Sequence, residues 1–370
     1  MKYWRGYLVA LIAAACAWGL SLFASSHRML MDTIFPYMTR LVLDSLAQWS
    51  SSVNFCLWQL AVLVFLAAIL TTVVLMIALR WNPIQCFGWV LAVVSIVNLL
   101  NTGVYELNQY VGPLSEDLRL DTSVFTISEL EDAATYYRDK ANELSAQVSR
   151  GPGGYAEYDD FEVLAQQAEA GFQVMVYERS GSVFAGCMVP VKELGWSDYY
   201  TSRGVTGMTV GLTGESAVNP QVPDVGLPFA ICHEMAHRMS IYNDSDANFA
   251  AFAACEANPD PQFRYTAYLM AYRACYNALA GYNNATADAA LIRIERGEYP
   301  NIRKDLNTYE DFLKNEDIDD DMCTMLVSWH IQNVVIPALE QDDLEQLFDP
   351  TDESQVDLSG IVNAKQEEEP

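Results

Sequence analysis

The stretch Leu227-Pro228-Phe229-Ala230-Ile231-Cys232-His233-Glu234-Met235-Ala236-His237 decides how the soluble half of this chain folds. It is apolar up to Cys232, and Pro228 suits the first turn of a helix, so a buried helix is predicted from Leu227. Residues four apart on a helix share a face. His233 and His237 can therefore aim both imidazoles at one ion, with Glu234 near enough to reach a water on that ion. Zinc lowers the pKa of such a water toward ~7, and a neighbouring carboxylate can take its proton and pass it to a leaving amine. The chain has only four histidines, His27, His233, His237 and His330, and two fall in this run. The plainer reading, two core histidines satisfied by ordinary neighbours, fits poorly with so apolar a helix, where unpartnered imidazoles are costly.

A catalytic zinc site needs a third protein ligand. Asn243-Asp244-Ser245-Asp246-Ala247-Asn248 opens the next predicted helix, and Asp244 and Asp246 can both turn back toward the histidines. A ligand carboxylate followed four positions later by a residue that orients a ligand histidine matches Asp244 and Asn248, so Asp244 is favoured and Asp246 is the alternative. Helix capping alone would also explain an acidic start. Further along, Arg264, Tyr265 and Tyr268 are candidates to stabilise an oxyanion. Their Ala and Leu neighbours equally suit core packing, and His330 reads as an ordinary half-buried histidine. The glycine-rich, strand-like stretch from Gly204 to Thr213 precedes the motif helix, where an edge strand could align a peptide.

Upstream, three apolar runs at about 7–24, 55–79 and 84–104 contain no Lys, Arg, Asp or Glu. Each is near the ~20 residues that span a bilayer. Lys2 and Arg5 precede the first run, but Leu22-Phe23-Ala24 lacks the small residue three back from a signal-peptidase cut, so an uncleaved span is expected. Lys2, Arg5 and Arg80 would lie on one side and Arg28 and Arg40 on the other, which favours a cytoplasmic N-terminus and an extracytoplasmic soluble domain. Residues 34–49 are amphipathic and suit a membrane surface. The expected architecture is a membrane anchor (1–104) of three helices, then a mainly α (α+β) zincin-like domain with a small sheet (105–348), then a disordered acidic tail (349–370).

Within the domain, Ser128 and Glu131 have capping-box spacing ahead of a long helix, Phe161–Ala170 reads as a second helix, and residues 174–218 read as short strands. The net charge of −27 excludes nucleic acid as a partner and leaves the bilayer and a peptide or protein substrate. The eight cysteines form no CxxC pair, so buried apolar thiols are expected rather than disulfides or a cysteine metal site.

Four segments together resemble the bacterial domain-of-unknown-function 3810 family. They are Thr213-Gly214-Glu215-Ser216-Ala217-Val218-Asn219, His233-Glu234-Met235-Ala236-His237, Asp246-Ala247-Asn248-Phe249 and Phe263-Arg264-Tyr265-Thr266-Ala267-Tyr268-Leu269. The resemblance implies several N-terminal spans and a zinc-peptidase-like HExxH site, without a substrate. Glutamates stand in that family's pattern where this chain has Asp244 and Asp246. Two functions are therefore expected: a membrane-anchored zinc metallopeptidase with Glu234 as general base, or a catalytically inactive membrane sensor or scaffold on the same fold.

Overall fold

Each apolar run becomes one long helix: α1 (Arg5–Ser26), then the amphipathic α2 (Phe35–Ser50), then α3 (Leu57–Ala78) and α4 (Pro83–Val104). The computed structural model describes residues 4–123, 125–177, 182–186, 188–313 and 320–347; the expected disordered tail, 349–370, lies outside these. By length and composition, α1, α3 and α4 can each cross a membrane. Asn82 caps α4 by accepting from the N–H groups of Ile84 and Gln85, with Pro83 in the first turn. α1 packs along α4 through small residues, and a side chain on Gly6 would strike the Gly88 carbonyl. Such close backbone approach is what associates helices where no water is present to drive them together.

A fourth stretch, Met322–Gln341, is also long and apolar enough to cross a membrane. Its first half carries Met322, Cys323, Met325, Leu326 and Val327 into the main core, which accounts for its apolar composition without a bilayer.

The rest is mainly helical with one small sheet. The long helix α5 (Ile127–Leu144) is followed by β1 (Lys192–Glu193), the short α6 (Ser197–Thr201), β2 (Gly207–Val210) and β3 (Glu215–Val218). Then come α7 (Leu227–Arg238), α8 (Asp244–Ala257), α9 (Pro261–Gly281), α10 (Pro300–Leu313) and α11 (Asp320–His330). Strand order is β1-β3-β2, with β1 parallel and β2 antiparallel to β3, so β2 is an edge strand. α8 runs through the core, its alanines at 247, 250, 251, 253 and 254 and its Phe249 and Phe252 fully buried against α5, α7, α9 and α11. Truncating either phenylalanine to alanine would cost about 3–5 kcal/mol.

Two local expectations need correction. α5 is capped by Thr126 and Glu129, which bond reciprocally, rather than by Ser128 and Glu131. Both pairs have the right spacing, but Glu131 is held by Arg293 at 2.6 Å. The region expected as strands from residue 174 starts instead with the end of a helix, Glu169–Tyr177, and its first strand among the described residues is at Lys192. Phe161–Gln167 is helical as expected.

Candidate metal centre

The motif helix α7 is buried along nearly its whole length, and it projects His233, Glu234 and His237 into a cavity of about 850 Å³. After α7 the chain turns through Ser240, in the left-handed region at φ 65°, so that the Ile241 carbonyl returns to His237 Nδ1 at 2.8 Å. That bond requires the Nδ1 proton and leaves the lone pair on Nε2, pointing into the cavity. Asn243 caps α8 by accepting from the Ser245 N–H, so the helix start does not need Asp244 for a cap. Asp244 Oδ1 lies 3.4 Å from His237 Nε2 and 4.0 Å from His233 Nε2.

The two Nε2 atoms are 3.1 Å apart. Two nitrogens on one tetrahedral ion at ~2.0–2.1 Å would be separated by about 3.3 Å. All three donor atoms lie within 4.8 Å of one another, so one ion placed among them can reach every donor. The Asp244 side chain is largely exposed, while both imidazoles are nearly enclosed. Asn248, one turn along α8 from Asp244, hydrogen-bonds His233.

Charge is distributed unevenly here. Burial lowers the pKa of His233, and the neighbouring His237 lowers it further. Burial also works against a charge on His237, but the Asp244 carboxylate, Glu234 and the Ile241 carbonyl outweigh it and raise the pKa. When the His237 ring is protonated at Nε2 as well, its hydrogen bond to Asp244 holds that carboxyl below the usual carboxylate range. Burial raises the Glu234 carboxyl. That shift moves a carboxylate toward the range useful for proton transfer.

Glu234 is positioned by the sheet. Thr209 Oγ1 donates to Glu234 Oε2 at 2.6 Å, and Ser216 Oγ donates to the Glu234 carbonyl at 2.7 Å. Gly207 faces the same side chain so closely that a Cβ there would overlap Glu234 Cγ and Oε1. The glycine is what lets the edge strand lie against the motif helix. Residues 204–209 line the cavity beside the histidines.

Other expected residues lie elsewhere. Asp246 is turned to the opposite side of α8, where its Oδ2 accepts the Leu114 N–H at 3.1 Å. The Tyr265 hydroxyl donates to Asp305 Oδ2 at 2.7 Å, Tyr268 reaches Glu256, and Arg264 lies outside the cavity. α9 faces the cavity with Met270, Arg273, Ala274 and Asn277, and on a helix of 3.6 residues per turn Tyr268 sits about 200° away from Met270. His330 is buried, its ring tilted against that of Tyr136 with centroids 4.8 Å apart. Sequence reading missed Thr209, Tyr105 and Tyr242. The two tyrosines line the cavity with ring centroids 5.4 Å apart. Only the Thr209 spacing from Gly207 gave a signal, because residues two apart share a strand face.

The model of the family described as "Protein of unknown function (DUF3810)" matches residues 32–326. The chain belongs to that family. The DUF3810 match runs from just before α2 into α11 and so includes every residue that lines the cavity. No curated protein and no solved structure matches the chain.

Proposed function

We propose that this DUF3810 protein is a membrane-anchored zinc metallopeptidase of zincin-like architecture, with the catalytic domain outside the cytoplasm. The convergence of His233, His237 and Asp244 beside a buried, raised-pKa Glu234 carries this reading. His233, His237 and Asp244 would hold the metal, leaving the cavity side open. Bound zinc would supply a Lewis acid that polarises the scissile carbonyl and activates water.

The chain's own groups supply the rest. Glu234 takes a proton from the attacking water as its oxygen joins the carbonyl carbon. Glu234 then returns the proton to the amine as the C–N bond breaks, leaving a carboxylate and an amine. Thr209 fixes the orientation of that carboxylate. Tyr105 and Tyr242 replace Tyr265 and Tyr268 as candidates to donate to the developing oxyanion, since both line the cavity. The extended backbone at residues 204–209 offers a substrate an edge to pair with.

The deciding experiment compares the wild type with Glu234→Gln for zinc content and peptide hydrolysis. The expected result is retained zinc with turnover reduced by about 10²–10⁴ or more. Undiminished turnover would overturn the mechanism, and bound zinc with no hydrolysis in the wild type would favour the sensor or scaffold reading.

A further inference from the structure

We infer that the substrate of this site is a membrane-anchored polypeptide, cut in the stretch of chain just outside the bilayer; this rests on the peptidase reading above. The ends of three apolar helices mark one level of the molecule. α1 and α4 run in parallel, and α3 runs back between the two levels, so the last residues of α1 and α4 share a side with the first residues of α3. The substrate-binding edge is built directly on that side.

Beyond its C-terminal end, β2 leads into a turn wedged on the anchor. A Cβ on Gly211 would strike the Tyr105 ring, one residue beyond α4, and Gly214, at φ 62°, lies against the backbone of α2 at Leu43 and Ala47. At the other end, the chain enters β2 from α6 and the loop before it, which grip the head of α3. Gln59 bonds both the N–H and the carbonyl of Gly195, and Trp58 meets Trp196 edge-on at 6.5 Å. Between these ends, Met208 of β2 packs with Cys56, Leu194, Tyr200 and Ala217. The Glu215 carboxylate on β3 accepts the N–H groups of Leu57 and Trp58, the first two residues of α3. The edge strand is therefore held at one end by α2 and the residue that follows α4, and at the other by the start of α3, so it lies along the membrane face of the domain.

Exposed side chains at the same level suit a lipid headgroup layer. Trp49 at the end of α2, Phe55 before α3, and Trp196 and Tyr199 at α6 are each about half exposed or more. Tryptophan and tyrosine favour this depth because their rings are amphipathic. Gly204 and Val205, which follow this aromatic rim in the chain, and Tyr105 at the end of α4 all line the cavity. Tyr105, one residue beyond α4, lines the same cavity as Glu234, so a chain leaving the bilayer at that level needs only a short extended stretch, at ~3.3 Å for each residue, to reach the site. A freely diffusing peptide gains nothing from that placement, whereas an anchored one is confined to the plane of the site and so has a raised effective concentration.

The test uses the full chain in lipid vesicles with a mixed-sequence pool of quenched fluorescent peptides. The pool is supplied free, or attached to an apolar membrane-spanning helix through spacers of about 5 or about 40 residues. The short-spacer pool is expected to be cut at least as fast as the long-spacer pool, and both more than tenfold faster than the free pool. Cutting of free and long-spacer peptides with the short-spacer pool spared would overturn the inference while leaving the peptidase reading intact. Equal rates for all three would do the same. If nothing is cut by zinc-loaded protein, the peptidase reading itself fails and this inference fails with it.

Discussion

The Asp246 carboxylate accepts the Leu114 backbone N–H at 3.1 Å, which commits it to the core while Asp244, two residues earlier, stays with the histidines. Asp244→Ala is therefore expected to abolish stoichiometric zinc, as His233→Ala should. Asp246→Ala is expected to keep zinc but lower stability by about 1–3 kcal/mol, because it leaves a buried N–H without its acceptor. Elemental analysis and thermal melts of the purified variants separate the two. Zinc lost in Asp246→Ala and kept in Asp244→Ala would exchange their roles.

Asn248 acts through His233, to which it is hydrogen-bonded. Removing a partner that orients a ligand imidazole typically weakens metal binding 10–100-fold. Asn248→Leu is expected to show that loss in a chelator competition, with the fold unchanged. An affinity equal to the wild type would leave Asn248 as a mere lining residue.

The motif helix and the closeness of His233, His237 and Asp244 were legible in the sequence because each depends on spacing within one element or its immediate neighbour. His233 and His237 are set by helical periodicity, and Asp244 by its distance from Asn248 along α8. The oxyanion candidates were not legible. Tyr265 and Tyr268 lie on the wrong face of α9, which is decided by how that helix packs on α5 and α8. Tyr105 comes to the site only because the end of α4 meets the β2–β3 turn, a contact no local pattern encodes. The Thr213–Asn219 segment was recognisable as a motif, yet its work is tertiary: Ser216 holds the Glu234 carbonyl and Glu215 holds the head of α3.

Glu215 also pairs with Lys192 at 2.6 Å, its own side chain wholly buried. Lys192 in turn reaches the carbonyls of Ser50 and Phe55. Glu215→Ala would leave a nearly buried ammonium and two helix-end N–H groups without their anion, a loss of about 3–5 kcal/mol. A melt of the full chain in detergent should show it, and Glu215→Gln should lose less because the amide oxygen can still accept. A melting temperature unchanged in Glu215→Ala would mean that this contact does not couple β3 to the start of α3.

His330 is buried against Tyr136, and its Nδ1 has no hydrogen-bond partner among the described residues. Burial lowers its pKa, with Asp132 pulling weakly the other way. The ordinary value, about 6.5, applies in the unfolded chain. Between the two values the unfolded chain binds more protons than the folded one, so stability is full above ~6.5 and falls as pH drops toward the folded value. The slope attributable to this group is at most about 1.4 kcal/mol per pH unit. His330→Phe removes the titrating group while keeping a ring on Tyr136, so melting temperatures at pH 7.5 and 5 should converge in the variant relative to the wild type. Parallel shifts in the two proteins would show that His330 is charged at little cost inside the fold.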